Sequence, residues 1–136
     1  MHFNPNEARE LIMNHYSKPQ NKTTLESDFE TFFSTTCSDK LMLKATWKDN
    51  VLQDVSFDGH GCAIFMGATD IFLNIIKGKT QQEINDLAML FDRFVNLKEL
   101  SDSEIQSLGD LWVFFNVKKH LNRVNCALLT PNALKK

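Results

Sequence analysis

An α+β fold, a three-stranded antiparallel sheet with helices packed on it, is predicted by three features of this 136-residue sequence. From Leu41 to Trp47 the apolar residues Leu41, Leu43, Ala45 and Trp47 alternate with Met42, Lys44 and Thr46, the period of a strand with one buried face. Lys48-Asp49-Asn50 then interrupts the chain before a second strand-like run, Val51 to Phe57, so the two runs pair antiparallel across a short turn. After Gly61 the period lengthens, and Ile64, Ala68, Ile71, Phe72, Ile75 and Ile76 fall on one side of a helix.

The elements follow in order. Asn4-Pro5-Asn6-Glu7 supplies an N-cap residue, a proline at the first helical position and an acid three residues after the cap. Ala8, Leu11 and Ile12 continue it at helical spacing, which predicts a helix to about Tyr16. Ser17 to Thr24 is a loop, because Pro19 pushes the residue before it out of the α region. Glu26 to Phe33 is the first of three strands in a meander. The helix after Gly61 ends at Lys77-Gly78. Thr80 and Glu83 form a capping box for a further helix with the stripe Ile84, Leu87, Ala88, Phe91 and Val95, and Ser101 and Glu104 repeat the device. Asp110 to Lys136 reads as helical pieces, with Pro131 expected to end, kink or restart the last.

Composition excludes several classes of function. With 43% hydrophobic residues, 24% charged residues and a net charge of -2, the chain is expected to be one domain over residues 1–136 with one core. Lys and Arg are scattered, which gives no basic patch for a nucleic acid. Met1-His2-Phe3-Asn4-Pro5 lacks the basic and apolar regions of a signal peptide, and no apolar stretch is long enough to cross a membrane. A cytoplasmic compartment is expected, in which free thiols persist.

Three cysteines carry the chemistry: Thr36-Cys37-Ser38-Asp39, Gly59-His60-Gly61-Cys62 and Arg123-Val124-Asn125-Cys126. Their odd number excludes a fully paired disulfide framework, and their wide spacing excludes the short Cys-x-x-Cys units of zinc ribbons. Any shared site has to be assembled by the fold. Cys62 falls at a helix N-terminus, where unpaired amides and the helix dipole favour thiolate. Asp39, two residues beyond Cys37, offers one oxygen, and three thiolates with one carboxylate complete a tetrahedron for Zn²⁺ or iron. Taken singly, each cysteine is more often a small buried apolar side chain; the set of three reverses that balance. His15, His60 and His120 rank below Asp39 as ligands, and Arg123 is placed to balance negative thiolates or to make a surface ion pair.

At these residues the chain resembles the U-type iron–sulfur cluster assembly proteins (NifU, IscU and SufU), especially the SufU branch. The resemblance spans nearly the whole chain. His15-Tyr16-Ser17-Lys18-Pro19-Gln20-Asn21 is similar to that family's His-Tyr-x-x-Pro-x-Asn, and Cys37-Ser38-Asp39 to its Cys-Gly-Asp. Gly59-His60-Gly61-Cys62 and Leu108-Gly109-Asp110 follow, then Arg123-Val124-Asn125-Cys126-Ala127, similar to Arg-x-Lys-Cys-Ala. The long segment between Cys62 and Cys126 looks like the insertion of the SufU branch, and Asn125 stands where IscU scaffolds place a histidine. Ser38 where the family has glycine, Ala63-Ile64-Phe65-Met66 after the second cysteine and His120-Leu121 in place of Phe-Pro are departures that retain every ligand position.

The resemblance implies an IscU/SufU-like fold and zinc held by Cys37, Asp39, Cys62 and Cys126. It implies a pyridoxal-phosphate-dependent cysteine desulfurase as partner and persulfide transfer to Cys37, with a downstream iron–sulfur scaffold or apo-protein as recipient. A zinc-dependent sulfurtransferase is the implied activity. The alternative is a scaffold that builds a [2Fe–2S] cluster directly on the three cysteines and Asp39. A third is a structural zinc domain acting as an adaptor.

Overall fold

The structure, a computed structural model, describes residues 2–136. Its first helix, α1 (Pro5–Ser17), starts as the sequence predicts: Asn4 accepts the backbone N–H groups of Asn6 and Glu7 at 3.1 Å each, and Pro5 occupies the first turn. Three strands follow, β1 (Glu30–Phe33), β2 (Lys40–Lys48) and β3 (Val51–His60), paired antiparallel in the order β1-β2-β3. The β2–β3 turn is made by Asp49 (φ 52°) and Asn50 (φ 64°), two residue types that tolerate the left-handed region and so match the twist of a tight hairpin.

The first strand is four residues long and begins at Glu30, not at Glu26. Upstream, the backbone is engaged elsewhere. The Leu25 N–H donates to the Asp58 carboxylate at 3.1 Å, and Asp28 turns the chain at φ 58°. Thr23 N–H donates to the Phe57 carbonyl and Phe57 N–H to the Asn21 carbonyl, both at 3.0 Å, so residues 21–23 cover the outer edge of β3. The expected alternation in β2 holds at its first half only. Leu41 and Leu43 are buried, whereas Ala45 is exposed, and a register irregularity follows at Thr46/Trp47.

Helix α2 (Ala63–Ile76) is the centre of the molecule and is buried on nearly every side rather than on one stripe. It packs against α1, against β3 and against the last helix, α6 (Val124–Leu134). Gly67 lets α1 approach: a Cβ there would press on Ile12. Between α2 and α6 run α3 (Gln81–Val95), α4 (Asp102–Ser107), a 3₁₀ turn over Gly109–Phe114 and α5 (Val117–His120). Both predicted capping boxes, Thr80/Glu83 and Ser101/Glu104, are formed. Pro131 neither ends nor restarts the last helix but lies buried inside α6, three residues before its end. The carbonyl of Pro131 still accepts the Lys135 N–H at 3.0 Å, so the helix closes beyond it.

One buried carboxylate ties α1 and the following loop to α2. Asp70, fully buried, accepts the N–H of Gln20 at 3.0 Å and of Asn21 at 2.8 Å, together with the Asn21 carboxamide at 2.9 Å. His15 Nδ1 lies 2.6 Å from Oδ2, the oxygen that also accepts the Gln20 N–H. His15 and Asn21 of the sequence motif therefore serve the fold. Among the described residues no helix is long and apolar enough to cross a membrane.

Candidate metal centre

The sheet and two helix ends bring the predicted ligands to one cleft. Cys37 lies in the loop from β1 to β2, Asp39 directly before β2, Cys62 between β3 and α2, and Cys126 in the first turn of α6. Ser34 shapes the loop: its N–H donates to the Asp39 carbonyl at 3.1 Å, and its hydroxyl accepts the Cys37 N–H at 3.2 Å. The ligand atoms of Cys37, Asp39 and Cys126 all lie within 4.8 Å of one another. The sulfurs of Cys37 and Cys126 are in disulfide contact, with Cα atoms 6.8 Å apart, whereas the sequence argued against pairing in a reducing compartment. Convergence of two ligand positions on one point brings the thiols within bonding reach.

Cys62 is placed beside this triad but is not part of it. Its side chain caps α2 and accepts the Phe65 N–H at 3.5 Å, while its backbone N–H donates to Asp39 Oδ1 at 3.0 Å. It lines the same cleft of about 750 Å³ together with Cys37, Asp39, His60 and Arg123. It also lines a second, mostly apolar cleft of about 480 Å³ between α1 and residues 113–123, where His120 lies. Of the three histidines considered as ligands, His60 borders the thiols, His120 belongs to the apolar cleft and His15 is engaged by Asp70.

Asp39 gives the test of whether a cation suits the site. It is 2% exposed, its Oδ1 is held by Cys62, and its Oδ2 is buried with no hydrogen-bond partner among the described residues. A buried carboxylate oxygen left unpaired beside sulfurs is a costly arrangement for a structural side chain, and a suitable one for a metal ligand. The backbone makes room for it. A Cβ at Gly61 would overlap the Asp39 carboxylate and the Phe65 ring, and one at Gly59 (φ 123°) would overlap the Lys40 carbonyl. Arg123, exposed at the cleft, makes no ion pair with a carboxylate among the described residues. A donor set of thiols and one carboxylate fits Zn²⁺ or iron.

Sequence reasoning missed the supporting polar residues. Asp70 carried one signal only, its place as an acid within a largely apolar helix, which marks a buried acceptor. Thr36 carried no signal beyond adjacency to a cysteine, and Asn125, singled out only as standing in place of a histidine, gave no sign of its hydrogen bond to Thr36.

These elements and this cleft define a class. The family model of the NifU-like N-terminal domain matches residues 7–127, and the chain belongs to that family. Within it, the chain is 32% identical over 129 residues to the zinc-dependent sulfurtransferase SufU of Bacillus subtilis, covering 94% of this chain and 86% of that protein. It is 25% identical to the iron–sulfur cluster assembly scaffold protein IscU of Streptococcus pyogenes, over 92% of this chain and 78% of that one. Among solved structures, a proposed iron–sulfur cluster assembly scaffold protein for the SUF system from Fervidobacterium islandicum is 30% identical and superposes with a TM-score of 0.78, covering 92% of this chain and 91% of that one.

Proposed function

We propose that this protein takes part in iron–sulfur cluster assembly as a zinc-bound sulfur acceptor and carrier, receiving persulfide sulfur from a pyridoxal-phosphate-dependent cysteine desulfurase. The observation that carries the reading is the buried Asp39 carboxylate, which has an oxygen within 4.8 Å of the Cys37 and Cys126 sulfurs and whose Oδ2 has no hydrogen-bond partner among the described residues. Similarity to SufU supports zinc and sulfur transfer. Cys37, Asp39, Cys62 and Cys126 would hold the metal; for Cys62 this requires its side chain to turn from the Phe65 N–H toward the cleft. Bound zinc would keep the thiols deprotonated at neutral pH.

The remaining chemistry belongs to the chain. Cys37, on the loop rather than a helix, attacks the terminal sulfur of the donor's Cys-S-SH as a thiolate. A new S–S bond forms at Cys37, the donor's own S–S bond breaks, and the donor leaves as a thiolate. The terminal sulfur keeps its proton, and no oxidant or reductant is consumed. Arg123 at the mouth stabilises the negative charge that passes from the Cys37 thiolate to the departing donor thiolate, and a downstream scaffold or apo-protein would receive the product.

The test is metal content of the purified protein together with desulfurase turnover in its presence and absence, for wild type and Cys37→Ser. About one zinc per chain, stimulated turnover and loss of that stimulation in Cys37→Ser are expected. Wild-type stimulation by Cys37→Ser removes the acceptor role. Stoichiometric iron and sulfide, transferable to an apo-protein after anaerobic reconstitution, would instead establish the alternative, a [2Fe–2S] scaffold, in line with the scaffold role named for the IscU relative.

A further inference from the structure

Asn125 precedes Cys126, and its side chain crosses the cleft to the opposite loop, where Nδ2 donates to Thr36 Oγ1 at 3.2 Å. Thr36 Oγ1 in turn lies 3.8 Å from Cys37 Sγ, within reach of a hydrogen bond to sulfur. A hydroxyl has one proton and two acceptor sites. With the Asn125 amide on its oxygen, Thr36 keeps its own proton free, and the Cys37 sulfur is the acceptor beside it. On the other side of the loop, Ser34 Oγ accepts the N–H groups of Thr36 at 3.4 Å and Cys37 at 3.2 Å. Cys37 is thus gripped from both sides by neutral groups.

We infer that Thr36 and Asn125 form a clasp that holds the Cys37 loop against α6, making both positioning residues that set how readily the Cys37 sulfur leaves the site. The function of the clasp rests on the acceptor role proposed for Cys37; its geometry does not. The clasp joins residues 89 positions apart in sequence, so it couples the loop to the helix that carries Cys126. A carboxamide donates at every pH, whereas an imidazole changes its donor count near neutrality. With Asn125, the clasp itself does not open on protonation.

The experiment is residue-resolved alkylation of the zinc-loaded protein by iodoacetamide, with rates read for each cysteine by peptide mass spectrometry, in wild type, Thr36→Val, Asn125→Ala, the double variant and Thr36→Ser. Loss of one exposed hydrogen bond should raise the Cys37 rate by about fivefold in Thr36→Val and in Asn125→Ala. The double variant should be no faster than the singles, Cys62 should be unchanged, and Thr36→Ser should return to the wild-type rate. Wild-type Cys37 rates in both single variants overturn the clasp. So does a Thr36→Ser protein as fast as Thr36→Val, or equal acceleration at Cys62 and Cys126, which marks general loosening of the site. No desulfurase is present in this assay, so failure of the clasp is separable from failure of the sulfur-acceptor reading, which Cys37→Ser tests with the partner.

Discussion

Replacing Asp39 by asparagine should stabilise the protein without zinc and weaken it with zinc. Asparagine keeps an oxygen for the Cys62 N–H, held at 3.0 Å by Oδ1, and removes the negative charge on an oxygen that has no partner among the described residues. An unsatisfied buried acceptor costs about 1–3 kcal/mol, and more when charged. The new amide NH₂ is itself unpaired, so a net gain of about 1 kcal/mol is expected in the metal-free protein, or roughly 3–5 °C in Tm for a chain of this size. With free zinc at about a hundred times the wild-type Kd, binding adds ~2.7 kcal/mol to wild type. If the neutral amide lowers affinity about a hundredfold, the variant gains only ~0.4 kcal/mol, and the order of the two melting temperatures reverses. The assay is thermal denaturation followed by circular dichroism under reductant, once with chelator and once with zinc. An equal zinc-induced shift in both proteins would refute the ligand role of Asp39, and a lower metal-free Tm for the variant would refute the strain assigned to Oδ2.

Gly61→Ala should leave the protein folded and lower its zinc affinity, because the added methyl group meets the Asp39 carboxylate and the Phe65 ring; chelator competition measures this, and unchanged affinity would show that Asp39 yields freely. Asp58 gives a pH dependence. Burial alone would raise its pKa, but N–H donation from Leu25 and Gly59, together with Lys22 at 3.3 Å, outweighs this and holds the carboxyl below its ordinary value. Its contribution is therefore present above about pH 4, the unfolded value, and is lost as pH falls through the lower folded value. Urea midpoints from pH 6 to pH 3 should fall less steeply in Asp58→Asn, and parallel curves would show that Asp58 contributes nothing. Thr69 and Thr130 share a buried 2.7 Å hydrogen bond between α2 and α6. Either single change to Val should cost about 1–2 kcal/mol by leaving a hydroxyl unpaired, and the double change should recover part of that loss; strictly additive unfolding energies would count against the pairing.

Much of the fold could be read from local chemistry, because caps and hairpin turns are decided within a few residues. Asn4, Thr80 with Glu83, Ser101 with Glu104 and the Asp49-Asn50 turn all form as their sequences predict. What could not be read depends on distant partners. The first strand is expected to begin at Glu26, yet the Leu25 amide upstream is claimed by Asp58, 33 residues away, and Asp28 takes φ 58°. The burial of α2 all round reflects three layers closing on it, which no helical stripe discloses. In the site, the sequence singled out Cys37, Asp39, Cys62 and Cys126. It did not show that the Cys62 sulfur faces its own helix, since an N-cap rotamer and a ligand rotamer require the same residue at the same position. Nor did it show the link from Asn125 to Thr36, a contact between exposed polar residues with no periodicity to reveal it.

The core of this protein extends far beyond its thiols, although Cys126 belongs to it and Cys37 and Cys62 pack against it, and this has consequences for what a metal would do. In a zinc finger the ligands and the fold appear together, and removal of the ion unfolds the chain. Here α2 and its neighbours form a buried cluster of some thirty hydrophobic residues. The far end of α6 is separately anchored, with Gln81 and Asn85 of α3 donating to the carbonyls of Leu134 and Lys136 at 2.9 Å each. Cys126 therefore keeps its place on a helix fastened at the opposite end from the cleft. A scaffold held by so many contacts outside the cleft is expected to stay folded with the cleft empty, so under the proposed carrier role sulfur would be handed over without a round of unfolding and refolding.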